Sequence, residues 1–223
     1  SRSGSSSGVG FAIPAAVVRR VVETAVGGGR TVVRPWLGAR TQSVTGEIAR
    51  SLGLPLPQGA LVADIWPNGP AARAGLRQGD VVLQADGKPV IDAAGLNYAI
   101  GTHRPGDTVP LLVRRADGRD QALTLRAEGP PATPAKDERT LIGRHPFDGA
   151  TVVNLSPAVA DELGIDTFVR PGVMVTGLKQ GFAQNVGLRR GDIIRAVNGV
   201  TIANVRDLAA ALTAQPRAWQ VTI

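Results

Sequence analysis

The chain has 223 residues, of which 43% are hydrophobic and only 4% aromatic, and its formal charge is +7. It contains no cysteine, which excludes disulfide bonds and thiolate chemistry but does not fix the redox compartment. No apolar run approaches the roughly 20 residues of a membrane span. The arginines are scattered and seldom lie near aromatic residues, a pattern that favours a solvated surface over a nucleic-acid interface.

The first predicted elements are a strand at residues 9–13 and a helix at residues 15–26. Pro14 suits the first position of a helix, and the three glycines at 27–29 end it. Residues 1–8 are rich in Ser and Gly rather than basic and then apolar, so they are not a signal peptide. We expect either that none is needed or that the natural N-terminus lies upstream.

A series of short elements follows, up to residue 126. Asp86-Gly87 favours a tight hairpin turn because both residues tolerate positive φ, and Asp92 is a candidate helix N-cap. The predicted elements are an extended segment at 31–41, helices at 45–52, 70–74 and 92–103, and strands at 61–65, 81–85, 88–91, 109–115 and 121–126.

Residues 127–140 (AEGPPATPAKDERT) are rich in proline and charge and have no periodicity, which predicts a semi-stiff linker. A second series of elements comes after it. The predicted elements are an extended segment at 148–154, helices at 157–163 and 204–213, and strands at 173–177, 193–197 and 219–223. No segment follows to complete the last hairpin, so we expect the C-terminus to be truncated.

The two series are copies of one unit. Residues 71–82 return as residues 183–194, 112 positions later, and Asp86-Gly87 returns as Asn198-Gly199. Upstream the offset is 111, so we place one inserted residue between positions 54 and 59. A period of this length is a domain length, and the chain is therefore expected to use one small domain twice.

The ordered motifs of each copy resemble a PDZ domain in the permuted bacterial order. The first copy contains Arg34-Pro35-Trp36-Leu37-Gly38-Ala39, close to the Arg-x-x-Leu-Gly-Ile pattern of the HtrA (Deg/Do) family, and then Gly75-Leu76 and Gly79-Asp80-Val81-Val82. Residues 8–14, Gly-Val-Gly-Phe-Ala-Ile-Pro, resemble the closing strand of an HtrA protease domain. The resemblance covers nearly the whole chain.

This resemblance implies a mixed α+β fold that is mainly β. Each PDZ domain is a small β-barrel or sandwich with two helices. Residues 1–28 correspond to the last strand and helix of a trypsin-like β-barrel domain. Residues 31–127 are the first PDZ domain, 128–143 the linker, and 144–223 the second PDZ domain, truncated at its C-terminus.

The resemblance also implies a peptide-binding site in the first copy. PDZ domains add an extended peptide to a sheet edge beside a helix, and backbone N–H groups capture its terminal carboxylate. The glycine of the turn lets successive N–H groups converge on the anion, and an arginine adds a charge-assisted contact. The site residues would be Arg34, Trp36, Leu37, Gly38, Ala39, Thr41, Leu96, Ala99 and Ile100.

Two of these assignments have alternatives. Leu96 and Ile100, at helical i and i+4 positions, are equally consistent with plain core packing. Trp36 is larger than the usual family residue. It either covers or narrows the site, or it makes an exposed interdomain contact instead.

The second copy departs from the family pattern because Asp148 stands where the first copy has Leu37. Two like charges about 4 Å apart cost on the order of 1–4 kcal/mol at surface-like dielectric. We therefore predict that this copy binds free C-termini poorly and serves packing, assembly or internal segments. Its candidate residues are Asp148, Gly149, Ala150, Leu208, Ala211 and Leu212.

Catalytic, metal and cofactor sites are not predicted in this chain. The Gly-Asn-Ser-Gly-Gly motif of the family is missing, and the only histidines, His103 and His145, suit surface or capping positions. No residue spacing indicates a metal, and no glycine pattern indicates a nucleotide cofactor. Asp80 and Asp192 each follow a glycine in a turn, where Asp bonds nearby backbone N–H groups.

The leading interpretation is the substrate-recognition and regulatory region of an HtrA/Do-type serine endopeptidase in envelope protein quality control. The resemblance implies a periplasmic parent that forms a trimer or a larger assembly, whereas this fragment would be inert and monomeric. Its partners would be C-termini or extended segments of unfolded envelope proteins and the protease domain of the same chain. Two alternatives remain: a tandem PDZ scaffold without a protease, and a module for anionic surfaces whose binding falls steeply with salt.

Overall fold

The computed structural model describes residues 33–179, 182–214 and 216–223, so the strand and helix predicted within residues 1–28 lie outside the described residues. The chain divides into two compact units, one ending at Gly129 and the other beginning at Pro130. Each unit is mainly β with short helices, as the resemblance implies.

The first unit is built on one antiparallel sheet. Its strands run in the order β1-β2-β3-β5-β6, with β4 paired to β3. The elements are β1 (Ala39–Ser43), α1 (Gly46–Ser51), β2 (Ala60–Ile65), α2 (Pro70–Arg73), β3 (Val81–Ala85), β4 (Lys88–Pro89), α3 (Ala93–Gly101), β5 (Thr108–Arg114) and β6 (Asp120–Arg126).

Local signals place the turns and the helix starts. Asp86 and Gly87 have φ values of 52° and 71°, as a tight hairpin turn of two positive-φ residues requires. The Asp92 carboxylate accepts a hydrogen bond from the N–H of Gly95 at 2.6 Å and caps α3. The helix ends at Gly101, two residues before the predicted end.

The second unit contains two smaller sheets. Strands β7 to β10 form one in the order β10-β9-β8-β7, and β11 pairs with both β12 and β13 in the other. The elements are β7 (Arg139–Thr140), β8 (Ala150–Asn154), α4 (Pro157–Glu162), β9 (Val173–Leu178), α5 (Phe182–Asn185), β10 (Ile193–Ile194), β11 (Ala196–Val197), β12 (Val200–Thr201), α6 (Val205–Ala211) and β13 (Val221–Thr222).

Each unit has its own core, and both cores are mostly aliphatic, as the low aromatic content requires. In the first unit Leu96, Val82 and Leu125 are fully buried in one cluster. In the second unit Phe147 is fully buried together with Leu208 and Ile194. Fully burying side chains of this size is worth about 1.5–3 kcal/mol each.

The strand registers refine the repeat. Ala39 pairs with Ile65 in the first unit, and Ala150 pairs with Leu178 in the second. The offset is therefore 111 at the first strand of each copy but 113 at the second. The single insertion expected from the sequence is wrong in detail: the second copy has two additional residues before β9 and one fewer between β9 and α5. The apolar strands carry no motif that could reveal this compensation.

Candidate peptide-binding site

The turn before β1 has anchored carbonyl groups and unused N–H groups. Gly38 has a φ of 73°, and a side chain there would place Cβ 2.9 Å from the Cδ atom of Pro70. The carbonyls of Leu37 and Gly38 accept hydrogen bonds from Ala71 (3.0 Å) and Trp66 (2.9 Å). Among the described residues, no group accepts a hydrogen bond from the N–H of Leu37 or Gly38. The turn therefore offers the N–H groups of Leu37 and Gly38 as donors. Its positive φ is a conformation that only glycine adopts readily.

Strand β1 lies at the end of the strand order, and among the described residues only β2 pairs with it, so its other edge is open to that extent. The bond from Trp66 to Gly38 makes Ala39 and Ile65 a non-hydrogen-bonded pair, so the N–H and C=O of Ala39 point away from β2. The register turns the backbone of Thr41 and Ser43 outward in the same way. Every second residue of β1 thus presents backbone groups that no described residue pairs with, and an added strand can use them.

Helix α3 lies beside this open edge. The Ser43 hydroxyl accepts a hydrogen bond from the N–H of Ala93 at 3.2 Å and ties the start of α3 to the end of β1. Leu96 and Ile100 are fully buried in the same cluster as Leu37, whereas Ala39 and Ala99 are half-buried against it. The predicted residues therefore lie together, with three in the core and two at its margin.

The second unit repeats the turn but uses its donors internally. Gly149 has a φ of 84°, and the Asp148 carbonyl accepts from Ala183 at 3.1 Å, as Leu37 does from Ala71. The N–H of Asp148 donates to His145 (3.2 Å), and the N–H of Gly149 donates to Leu141 (2.9 Å). The turn has the same shape in both units, but only the first has donors to spare.

The open edge of β1 corresponds in the second unit to an edge that is filled. Residues 136–141, which we call the strap, run antiparallel along β8. Arg139 pairs with Val152 and Thr140 with Thr151. At the two ends of the strap, the N–H of Asn154 donates to Lys136 (2.7 Å) and the N–H of Leu141 donates to Ala150 (2.8 Å).

Comparison with known proteins gives the family. PDZ-domain models match residues 35–126 and 141–223. Over all 223 residues the chain is 33% identical to a protein of Pseudomonas fulva (strain 12-X) named "Probable periplasmic serine endoprotease DegP-like", of which it covers 46%. It is 35% identical to a protein of the same name from Ectopseudomonas mendocina (strain ymp), with 100% of the chain and 47% of the relative covered.

A solved structure titled "HtrA-type protease AlgW with tripeptide" has 37% sequence identity and a TM-score of 0.46, with 60% of this chain and 44% of that chain covered. The chain therefore carries two PDZ domains and is similar over its whole length to periplasmic DegP-like endoproteases. It spans less than half the length of the curated relatives that it matches.

The polar residues of the first PDZ domain's site differ in their surroundings. The Thr41 hydroxyl is buried and has no hydrogen-bond partner among the described residues. Arg34 is exposed and forms no ion pair with any described residue. Trp36 packs edge to face against Trp66, with ring centroids 6.0 Å apart, on the side of the turn where β2 ends. Thr41 therefore remains the unsatisfied polar group beside the open edge.

In the second PDZ domain, the predicted residues surround the strap. The Asp148 carboxylate accepts a hydrogen bond from the N–H of Gly143 at 2.9 Å, two residues beyond the strap. Leu208 is fully buried, and Ala211 and Leu212 pack against the same cluster. A groove of about 550 Å³ remains between residues 139–145 and α6.

Sequence reasoning missed the strap and its main anchor, Asn154. The Asn154 side chain is buried, accepts from the N–H of Val205 and donates to the carbonyl of Ala135 at 2.7 Å. It occupies the place of Ser43, which holds α3 in the first domain. A polar residue at the end of each copy's first strand was the available signal, but nothing in the linker composition indicates its partner.

The two turn aspartates serve the fold. Asp80 accepts from the N–H of Arg77 at 2.7 Å and pairs with Arg115, and Asp192 accepts from the N–H of Arg189 at 2.8 Å, as the turn chemistry predicts. Within the described ranges there is no cluster of three metal-ligating side chains and no helix long and apolar enough to cross a membrane.

Proposed function

We propose that the first PDZ domain binds the free C-terminus of an extended polypeptide whose last side chain is apolar. The observation that carries this proposal is the open edge of β1, which begins at a positive-φ glycine turn with unused N–H groups. Backbone groups that point outward from a sheet edge recruit a strand. An anion at the end of that strand would use the donors of the turn.

The register of β1 sets the order of the contacts. The last peptide residue would lie opposite Ala39, with its carboxylate on the N–H groups of Leu37 and Gly38. The third residue from the peptide's end would pair with Thr41, through both N–H and C=O groups. The second residue from the end would point its backbone N–H away from β1 and make no hydrogen bond to it.

The apolar end of the peptide would meet the margin of the core. Ala39 and Ala99 are half-buried there, above the fully buried Leu96 and Ile100. Because Ala39 and Ala99 are small, they leave room at the margin for a larger apolar side chain of the peptide. Leu96 and Ile100 close the core beneath it. Arg34, which is exposed two residues before Trp36, would reach the carboxylate directly or through water.

We infer for the parent protein the role that the names of its relatives describe, a periplasmic serine endoprotease. Residues 1–28 would then be the end of its protease domain, 31–127 the first PDZ domain, 128–143 a linker and 144–223 the second PDZ domain. The first PDZ domain would select unfolded envelope proteins by their C-termini. This chain would by itself be monomeric and inactive, and the parent a trimer or larger.

A peptide series tests the binding mode. A fluorescent peptide with an apolar last residue is titrated into the chain and followed by anisotropy, then repeated with its C-terminus amidated. Charge-assisted hydrogen bonds contribute about 1.5–3 kcal/mol, so amidation should weaken binding by about tenfold to a hundredfold. N-methylation of the third residue from the end should weaken binding by about tenfold. The matched peptide methylated at the second residue from the end should bind normally.

The internal repeat supplies the matched variants. Gly38→Glu should abolish this binding, because it strains the turn and places a carboxylate beside the peptide's own. Gly149→Glu makes the same change at the equivalent place in the second domain and should leave the binding intact. Equal binding of the free and amidated peptides would overturn the proposal. A gene that lacks a Gly-x-Ser-Gly-Gly motif upstream of residue 8 would favour a scaffold over a protease.

A further inference from the structure

The second PDZ domain holds a segment of its own chain along the edge of β8, whereas no described residue covers the equivalent edge of β1. Ala150, Val152 and Asn154 are the equivalents of the outward-facing Ala39, Thr41 and Ser43, and all three bond to the strap. We propose that this domain is a peptide site for internal segments and that the strap, residues 136–141, is its resident ligand.

Leu141 takes the place of a ligand's last residue. Its N–H donates to the Ala150 carbonyl at 2.8 Å, and its carbonyl accepts from the N–H of Gly149 at 2.9 Å. Its side chain is only 7% exposed and packs in the cluster that contains Phe147 and Leu208. The strap thus combines an added strand, a captured carbonyl oxygen and a buried apolar side chain.

The chain continues beyond this anchor, and the site is built for that continuation. Ile142 is 84% exposed, and Gly143, with a φ of 151°, turns the chain back. The N–H of Gly143 donates to the Asp148 carboxylate at 2.9 Å. A carboxylate at this point suits a ligand that offers another N–H after its apolar residue and repels one that ends in a negative charge. Asp148 therefore selects an internal segment over a free C-terminus.

Leu141 is the only apolar side chain of the strap. The other contacts of the strap are backbone bonds to β8, the bonds from Asn154 and a hydroxyl contact between Thr140 and Thr151 at 3.0 Å, so it can be displaced without opening the core. Its two paired residues, Arg139 and Thr140, are exposed. Lys136 forms an ion pair with Glu162 at 2.7 Å, but both side chains are substantially exposed, and such pairs contribute little. Because the strap is tethered, it competes with any external ligand at an effective concentration of about 1 mM. An external segment then binds only weakly unless the strap is loosened.

The sequence of the first copy supports a strap confined to the second. The residue equivalent to Leu141 is Arg30, and it follows three glycines. The first copy therefore has a charged residue at the position of the buried Leu141.

The test uses the full chain, labelled with ¹⁵N, and an acetylated and amidated peptide of residues 135–141. Arg139→Pro removes the backbone donor that faces Val152 and leaves the core untouched. Thr140→Pro is the matched control, since the N–H of Thr140 points away from β8. In Arg139→Pro, amide exchange at Gly149 and Val152 should quicken at least about tenfold, with the amides of β9 unchanged. The peptide should then perturb these same two amides saturably.

The wild-type chain and Thr140→Pro should bind this peptide at least about tenfold more weakly than Arg139→Pro does. Leu141→Ala provides a second way to loosen the strap, and the Gly38 amide reports the first domain separately. The inference fails if the loosened domain stays folded but binds no peptide. It also fails if Arg139→Pro and Leu141→Ala both unfold the domain. It fails again if, in the wild-type chain, the Gly149 amide exchanges only as fast as the Met174 amide in β9, because the strap is then a permanent strand.

Discussion

The two PDZ domains share a turn and differ in what lies along the strand that follows it. Gly38 and Gly149 both adopt positive φ, and the carbonyl before each accepts from the N–H of a helical alanine. In the first domain no described residue pairs with the outer edge of β1, whereas in the second the strap covers the equivalent edge of β8. The motif alone thus determines the shape of the turn, while the preceding chain determines whether a ligand can reach it.

The largest difference should appear at the first residue of the turn. Phe147 is fully buried, so Phe147→Ala should destabilise the second domain by about 3–5 kcal/mol. Trp36 is half-buried and contacts Trp66 edge to face, so Trp36→Ala should cost the first domain about 1 kcal/mol. Urea unfolding followed by backbone-amide NMR resolves the two domains. Equal costs would mean that Trp36 belongs to a core as Phe147 does.

The equivalent aspartates should come next. Asp80 is 2% exposed and pairs with Arg115, so Asp80→Ala leaves a largely buried guanidinium unpaired and should cost about 3 kcal/mol. Asp192 is half-buried and caps the N–H of Arg189, so Asp192→Ala should cost about 1 kcal/mol. The free energies of unfolding of the two variants check this. The prediction is contradicted if Asp192→Ala proves the more damaging change.

The two helix tethers should differ less. Asn154 is buried and joins β8, α6 and the residue before the strap, so Asn154→Ala should cost about 2 kcal/mol. Ser43 accepts a single hydrogen bond at an exposed position, and Ser43→Ala should cost about 0.5 kcal/mol. Hydrogen exchange should also show the strap amides opening in Asn154→Ala. Unchanged exchange there would separate the tether from the strap.

The smallest effects should appear in how the stability of each domain depends on pH. A hydrogen bond from Arg114, together with its positive charge, holds the pKa of Asp120 below its usual value. A hydrogen bond from Lys136 to Glu162 raises the pKa of Lys136. The stability that Asp120 contributes is present when the pH is above the unfolded-state pKa of Asp120. It is lost as the pH falls through the pKa of the folded state. The stability that Lys136 contributes is present when the pH is below the unfolded-state pKa of Lys136. It is lost as the pH rises through the pKa of the folded state.

Both groups are substantially exposed, so each pair should contribute at most about 0.5 kcal/mol. Asp120→Asn should therefore flatten the acid side of the first domain's stability profile, and Lys136→Met the alkaline side of the second domain's. Titration of the two side chains by NMR gives the pKa values directly. An ordinary pKa for Lys136 would show that the ion pair does not hold the strap.

Local sequence signals predicted the turns, the caps and the alternation of short elements. Asp86-Gly87 and Asn198-Gly199 carry their own backbone preference, and Asp92 caps its helix wherever the helix packs. The strap was assigned to a linker because its residues are charged and aperiodic. The compensating changes of length around β9 were missed because they leave no motif behind. The assignment of residues 1–28 stays a prediction.

By itself the sequence determined that a PDZ unit occurs twice and where each unit's glycine turn lies, since hairpin turns and positive-φ residues depend on local backbone chemistry. Only the tertiary structure decided that the edge of β8 is filled by residues of the same chain. Strand pairing joins residues through their backbones, which are the same for every residue except proline, so the pairing of Arg139 with Val152 depends on where the chain places them. The difference between the two domains arises there.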